Sequence, residues 1–186
     1  MTTPKQTPPK MTVEEFLAWA EGRTGRYELI GGEIVAQASE RAKHWKIKLA
    51  THVALLNAVK AKACGCHVVP DGGTVRIDTS TAYEPDGMVY CGPEVHGESM
   101  IVENPLIVVE VLSPTTGRND KSRKLADYFR VPSIVHYLLI DADAPLIIHH
   151  QRRSDGDILT HIVREGVVTL DPPGITLSLA DIYASG

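Results

Sequence analysis

The heptapeptide Leu106-Ile107-Val108-Val109-Glu110-Val111-Leu112 has the composition of a strand at the centre of a sheet. Its side chains are apolar on both faces, as expected of a strand that is covered on both sides. Glu110 is the one charged residue in this segment. An ionised carboxylate that is buried without a partner costs many kcal/mol, so Glu110 needs a cation or a proton. A structural ion pair, an exposed strand end and a bound metal ion would each meet that need.

A second carboxylate, Asp86, precedes another short apolar run. It lies in Glu84-Pro85-Asp86-Gly87, directly before the predicted strand Met88–Tyr90 and 24 residues before Glu110. Pro-Asp-Gly alone is typical of a plain turn. If the two strands are neighbours, however, Asp86 and Glu110 lie side by side. Paired carboxylates completed by water form a hard-oxygen site suited to Mg²⁺ or Mn²⁺.

The segments around these two strands predict a mixed α/β fold. A long helix over Arg41–Ala63 is indicated by an apolar stripe with a spacing of three or four residues, formed by Trp45, Leu49, Val53, Leu56 and Val59. Asn119 or Asp120 can cap a second helix that runs to about Arg130, and Ile134–Ile140 follows as a buried strand. The three strands expected between the helices are Thr74–Ile77, Met88–Tyr90 and Leu106–Leu112. The order helix, three strands, helix, strand predicts a mixed sheet flanked by helices.

Further elements are predicted on both sides of this core. Residues Thr12–Glu15 fit a capping box that starts a short helix. Two alternating runs around Gly31-Gly32 predict an N-terminal hairpin over Tyr27–Ala36, because both central residues of a type I′ turn need positive φ. A strand-rich C-terminal extension is expected, with strands at Leu146–His150, Ile158–Val163 and Val167–Leu170.

Length and charge limit the class of protein. The chain has 186 residues, 43% of them hydrophobic and 23% charged, which is ordinary for a globular protein. We expect a flexible arm over residues 1–10, which hold three prolines, and a single domain over residues 11–186. A net charge of −4 argues against a basic surface that wraps DNA, although a local basic groove is compatible with it. The chain has no apolar run of about 20 residues and does not start like a secretory signal, so a cytoplasmic protein is expected.

Two groups of potential metal ligands are interpreted as having no such role. Cys64, Cys66 and Cys91 are expected to be reduced thiols, since no export signal is present. The Cys64–Cys66 spacing is also too short for a usual zinc site. The pair His149-His150 is interpreted as part of a solvated strand edge.

Several segments together resemble the Uma-type endonuclease family, over about Met11–Ile148. They are Glu110-Val111-Leu112-Ser113-Pro114-Thr115-Thr116, the following residues Asp120, Lys124 and Tyr128, the strand Tyr137-Leu138-Leu139-Ile140-Asp141, the hairpin Tyr27–Val35 and the helix-opening His44. Members of this bacterial family resemble restriction endonucleases and have a PD-(D/E)XK core. The resemblance therefore implies an Mg²⁺- or Mn²⁺-dependent endonuclease that acts on DNA.

The resemblance also implies roles for particular residues. Asp86 and Glu110 would hold the metal ion, with the Val111 carbonyl as a third ligand and Glu28 as a further candidate from the hairpin. The usual motif has lysine two residues after the acid, where this chain has Leu112. Lys124 of the following helix would supply the catalytic cation instead. Cutting both strands requires two active centres, so a homodimer is expected.

A second function stays open at this point. The chain could be a non-catalytic nucleic-acid-binding protein that retains the nuclease fold. The net charge of −4 and the leucine at position 112 both favour this alternative.

Overall fold

A six-stranded mixed sheet forms the centre of the computed structural model, which describes residues 10–112 and 118–184, with backbone alone for residues 118–121. The helices are α1 (Val13–Ala20), α2 (Ala42–Lys62), α3 (Arg118–Tyr128) and α4 (Leu179–Tyr183). The strands are β1 (Tyr27–Ile30), β2 (Glu33–Ala36), β3 (Cys66–Pro70), β4 (Val75–Arg76), β5 (Ala82–Tyr83), β6 (Gly87–Cys91), β7 (Pro105–Leu112), β8 (His136–Asp141), β9 (Ile147–Arg152), β10 (Ile158–Val163), β11 (Val167–Leu170) and β12 (Ile175–Ser178). The predicted arm lies outside the described residues except for Lys10, and so does the segment Ser113–Gly117.

The central sheet confirms the predicted mixed α/β class. Its order is β10-β9-β8-β7-β6-β3, in which β7 and β8 are parallel and all other neighbours are antiparallel. The strand predicted at Thr74–Ile77 is shorter and belongs to a second sheet, β2-β1-β5-β4. Its expected place in the central sheet is taken by β3, because the turn after Pro70 reverses the chain before β4 begins.

Each face of the central sheet is covered by a separate layer. Alternate residues of β6, β7 and β8 pack on one side against α2, the β11–β12 hairpin and α4. The other residues of these strands pack against Tyr128 of α3 and Tyr83 of the smaller sheet. Strand β7 is therefore covered on both sides, as its apolar sequence predicted.

Local signals at the N-terminal end are confirmed. The Thr12 hydroxyl accepts a hydrogen bond from the backbone N–H of Glu15, and the Glu15 carboxylate accepts one from the Thr12 N–H. Gly31 and Gly32 have φ values of 56° and 83°, as the tight turn between β1 and β2 requires. Helix α1 packs on this hairpin through Val13 and Phe16.

The apolar stripe of α2 was predicted to face the core, and this prediction is wrong except for Val59. Trp45, Leu49, Val53 and Leu56 are exposed by 40–59%. The residues buried instead are His44, Lys48, Thr51, Leu55 and Val59. The helix places this second row over the end of the sheet where Asp86 and Val111 lie, so polar partners rather than apolar ones fill its first two turns.

The cysteine prediction is also wrong for two of the three residues. Cys66 and Cys91 are directly opposite each other in the β3–β6 ladder and form a disulfide. Cys64 is free. The prediction of reduced thiols rested on the expected cellular compartment. Strand β3 had not been predicted, and its register against β6 brings the two sulfur atoms together.

The histidines of β8 and β9 are buried rather than solvated. His136 is fully buried and His149 is 3% exposed, which corrects the interpretation of His149-His150 as a solvated edge. The Pro172 carbonyl can only accept, so His136 donates through Nε2, at 2.9 Å. The neutral His136 ring then accepts at Nδ1 from His149 Nε2, also at 2.9 Å. Burial lowers the pKa of His136 to about 4 and that of His149 to about 3, the latter with a contribution from the neighbouring histidines.

Acidification from pH 7 to 5 is therefore expected to destabilise the fold. In this window the unfolded chain binds protons at both histidines, whereas the folded protein does not, so stability falls as the pH is lowered below about 6.5. Each histidine contributes a loss of roughly 2 kcal/mol. His149→Gln keeps a donor toward His136 but cannot titrate. Urea unfolding at the two pH values should show a pH-dependent loss smaller by roughly 2 kcal/mol in this variant. An identical loss in both proteins would contradict the prediction.

None of the helices within the described ranges is long and apolar enough to span a bilayer.

Candidate metal centre

The end of the β6–β7 ladder brings Asp86 next to Glu110. Gly87 pairs with Val109, so the residues just beyond this pair, Asp86 and Glu110, follow at the end of the ladder. The Asp86 Oδ2 atom accepts a hydrogen bond of 2.7 Å from the backbone N–H of Val111. Asp86 is 6% exposed. The sequence spacing of 24 residues thus corresponds to neighbouring strands.

Lys124 joins two of the other predicted site residues. Its Nζ atom lies 2.8 Å from Glu28 Oε1 and 2.9 Å from Glu110 Oε1. The Tyr128 hydroxyl donates to the same Glu110 oxygen at 2.7 Å. Lys124 and Glu28 are buried, and they come from α3 and from strand β1 of the hairpin. Asp120, which the resemblance places one turn before Lys124, has no described side chain.

The ionisation of Glu110 reflects this crowded surrounding. Burial raises the pKa of Glu110 to about 7; Lys124 opposes the shift, and the Asp86 and Glu28 carboxylates add to it. Burial acts to lower the pKa of Lys124, but Glu110 and Glu28 outweigh it and raise that pKa well above its ordinary value. The carboxylates of Glu28, Asp86 and Glu110 repel one another, so an additional cation among them would be stabilised.

The other side of Asp86 faces two cations that the sequence had not assigned to the site. Lys48 Nζ lies 3.0 Å from Asp86 Oδ1, and Arg26 Nη2 lies 3.6 Å from the same atom. Both cations also contact Glu40 and Asp71. Arg26 also contacts Glu84, at 2.8 Å. The described contacts therefore form a cluster of six carboxylates and three cations. The carboxylates are Glu28, Glu40, Asp71, Glu84, Asp86 and Glu110, and the cations are Arg26, Lys48 and Lys124. The cluster is therefore rich in negative charge.

His44 is a potential ligand that the sequence reasoning had not included in the site. Its Nε2 atom lies 2.7 Å from the Val111 carbonyl oxygen and 3.8 Å from Asp86 Oδ2. Its Nδ1 atom is buried without a hydrogen-bond partner. The signal in the sequence was a polar row with helical spacing, His44, Lys48 and Thr51, which runs beside the more conspicuous apolar stripe.

The donor set suits a divalent metal ion. Glu40, His44 and Asp86 can each direct one ligand atom to a common point, since these atoms lie within 4.8 Å of one another. The Val111 carbonyl contacts His44 in the same space, whereas the described contacts of the Glu110 carboxylate are with Lys124 and Tyr128. Carboxylate and carbonyl oxygens suit Mg²⁺ and Mn²⁺, and an imidazole nitrogen favours the transition metal of the two. The buried and unpartnered Nδ1 atom of His44 indicates that the metal-free arrangement leaves bonding capacity unused.

A mixed sheet with a helix on each face and acids at the ends of two adjacent central strands is the architecture of restriction-endonuclease-like proteins. The model of the Uma2 family, described as "Putative restriction endonuclease", matches residues 13–180. The chain belongs to this family, as the resemblance had implied.

Two proteins of known sequence and one solved structure are similar to this chain. Two Synechocystis proteins, each named as uncharacterized, are similar in sequence: slr1290 is 28% identical over 81% of this chain and 79% of its own length, and sll1609 is 30% identical over 83% and 89%. A crystal structure of a "putative nuclease belonging to DUF820" from Anabaena variabilis shares the fold, with a TM-score of 0.75 and 19% identity over 94% of this chain and 98% of that one.

Proposed function

We propose that this protein is an Mg²⁺- or Mn²⁺-dependent endonuclease that hydrolyses DNA phosphodiester bonds. The observation that carries the proposal is the convergence of Asp86, the Val111 carbonyl and His44 at one end of the sheet, where Glu110 lies beside Asp86 at the end of the β6–β7 ladder. Glu28, which shares Lys124 with Glu110, is a further candidate ligand. Family membership supports a nuclease-like function.

The residues have distinct parts in this proposal. A bound divalent ion would lower the pKa of a water molecule and neutralise charge on the scissile phosphate. Asp86, Glu110, His44 and the Val111 carbonyl would hold the ion. Tyr128 fixes the Glu110 carboxylate through its hydrogen bond. Lys124 Nζ is next to Glu110 and would stabilise the negative charge that develops on the phosphate oxygens.

Exposed basic residues would hold the DNA backbone, because Lys48 and Lys124 are buried in the acidic cluster. Lys46 and Lys60 of α2 are exposed and can still attract DNA.

Plasmid nicking tests the proposal. The wild type should nick supercoiled DNA with Mn²⁺ or Mg²⁺ and stop when the metal is chelated, whereas Asp86→Ala should be inactive under all conditions. Equal nicking by both proteins would contradict the assigned site.

The rival function is a non-catalytic nucleic-acid-binding protein. Two observations favour it: Leu112 is in the position of the usual lysine, and the three cations of the acidic cluster, Arg26, Lys48 and Lys124, are each paired with carboxylates. Calorimetry discriminates between the two functions, because a binding protein of this kind needs no metal. An absence of Mn²⁺ binding heat at millimolar metal, together with DNA binding, would favour the rival.

We further propose that the protein is a homodimer that pairs through the outer stripe of α2, defined as Trp45, Leu49, Val53 and Leu56. These side chains expose roughly 400 Å² of apolar surface, a level at which a patch indicates an interaction site. A groove of about 580 Å³ between α2 and β12, lined in part by Leu49 and Val53 of the stripe, adjoins this surface. An antiparallel twofold pair would place Leu49 opposite Val53 and would align the helix dipoles favourably.

Leu49→Glu is expected to convert the dimer to a monomer, because the charge would be buried at the centre of the pair. Light scattering should give one chain of 20.3 kDa for this variant and twice that mass for the wild type. Ile162→Glu is the matched control, since Ile162 is 63% exposed on the edge strand β10. A monomeric wild type, or dissociation by Ile162→Glu instead, would contradict the assigned surface.

A further inference from the structure

Glu40, one of the three residues whose potential ligand atoms cluster, contacts His44 at the ring nitrogen that does not face the Val111 carbonyl. Its Oε2 atom lies 3.1 Å from His44 Nδ1. Its Oε1 atom lies 2.5 Å from both Lys48 Nζ and Arg26 Nη1. Asp71 contacts the same two cations, at 3.2 Å and 3.8 Å. Both acids therefore face the same two cations, Glu40 at shorter distances, and of the two only Glu40 has a described contact with His44.

The hydrogen bonding of His44 defines its tautomer in the metal-free protein. A neutral imidazole carries a single N–H, and a carbonyl oxygen can only accept. The 2.7 Å contact with the Val111 carbonyl therefore places the proton of the neutral ring on Nε2. Nδ1 then bears a lone pair that faces the Glu40 carboxylate oxygen at 3.1 Å, so two acceptors lie opposite each other. Glu40 disfavours this tautomer.

We propose that Glu40 is a positioning residue that selects the metal-binding tautomer of His44. A nitrogen needs a lone pair to bind a cation, so Nε2 can serve as a ligand only when the proton is on Nδ1. In that tautomer the Nδ1–H donates to Glu40 Oε2, and two facing acceptors become a donor and an acceptor. A carboxylate that orients a metal-binding histidine in this way strengthens the binding of the metal. The inference rests on the proposed function, in which His44 is a ligand.

A purely structural role for Glu40 makes a different prediction. If Glu40 only neutralises Lys48 and Arg26, then Asp71 has a similar role, and loss of either carboxylate should affect metal binding to a similar extent. Glu40→Gln and Asp71→Asn therefore form a matched pair. Each variant removes one negative charge beside the same two cations, and only the first changes the acceptor that faces His44.

Calorimetry with Mn²⁺ measures the difference. Glu40→Gln should weaken Mn²⁺ binding by about 10- to 100-fold. Asp71→Asn should weaken it by less than about 3-fold, the size of an ordinary partly exposed ion pair. In ring-nitrogen NMR of the Cd²⁺-loaded wild type and Asp71→Asn proteins, the His44 Nδ1 proton should be protected from solvent exchange. In Glu40→Gln that protection should be reduced, which a role confined to Lys48 and Arg26 would not produce.

Thermal melts without metal show whether each variant folds. If Glu40→Gln does not fold, Glu40→Asp keeps the charge but shortens the reach to Nδ1, and it should show the same selective loss of affinity. Equal losses for the Glu40 and Asp71 variants, or unchanged affinity in the Glu40 variants, would overturn the inference and leave the proposed metal site intact. A wild type that does not bind Mn²⁺ would overturn the metal-dependent function and this inference with it.

Discussion

Glu110→Gln is expected to abolish Mn²⁺ binding and to slow plasmid nicking by on the order of 10³-fold, because several kcal/mol of transition-state stabilisation is lost with the metal. The metal-free variant should nevertheless be as stable as the wild type or more so. The pKa of Glu110 is raised to about 7 by burial, so its ionised form is disfavoured in the fold. The amide removes that charge and can still accept from Tyr128 and Lys124. Calorimetry and guanidinium melts at pH 8 without metal measure the two effects.

The alternative for Glu110 is half of a structural ion pair with Lys124. In that case the same change should cost about 3–5 kcal/mol of stability, because a buried cation would lose a partner. Glu84→Gln is a suitable control, since Glu84 pairs with Arg26 at 2.8 Å and is not among the candidate ligands. It should retain Mn²⁺ binding. A large loss of stability in Glu110→Gln would show that Glu110 is part of a structural ion pair.

Lys124→Ala is expected to slow nicking by on the order of 10²-fold or more, as for other single electrostatic donors. Its Mn²⁺ affinity should not fall, because Lys124 is not a ligand and its removal leaves Glu28 and Glu110 without their shared cation. Initial nicking rates at saturating Mn²⁺ measure the effect on catalysis, and calorimetry measures the effect on Mn²⁺ affinity.

Two comparisons make the Lys124 prediction specific. Lys60 is exposed on α2, so Lys60→Ala reports the effect of losing a lysine that only attracts DNA. Lys124→Gln keeps hydrogen-bonding capacity toward the two carboxylates and tests whether lost stability explains a lost rate; it should be as inactive as Lys124→Ala but better folded. Equal and small losses for Lys124→Ala and Lys60→Ala would show that Lys124 has no catalytic part.

The strands that carry the two acids were predictable because their signals are local. An apolar run on both faces predicts a covered strand, and β7 is one. The charge of Glu110 inside that run predicts a cluster of partners, and Lys124 and Tyr128 contact it. The register of β6 against β7, which places Asp86 beside Glu110, followed from the assumption that consecutive strands are neighbours.

The rest of the site could not be predicted for a physical reason. Helix α2 has two rows with helical spacing, and the hydrophobic pattern selects Trp45 and Leu49 as the buried row. The fold buries the row of His44 and Lys48 instead, because Asp86 at the end of the sheet compensates part of the cost of burying these polar groups. Asp86 is about 40 residues away in sequence, so only the tertiary structure shows this compensation. The disulfide between Cys66 and Cys91 depends on register in the same way.

The angle between the two rows of α2 has a consequence for how a dimer would meet DNA. Successive helical residues turn by ~100°, so the inner row that carries His44 and the outer stripe are separated by roughly a third of a turn. In an antiparallel twofold pair joined through the stripe, both inner rows, and the sheet ends that they cover, would then lie on the same side of the pair. With a rise of 1.5 Å per residue and helix axes ~10 Å apart, the two metal-binding centres would be on the order of 20–25 Å from each other. A duplex that spans this distance between the two sheet ends would reach both centres, so the dimer would break both strands and yield linear plasmid. A monomer would produce open circles alone.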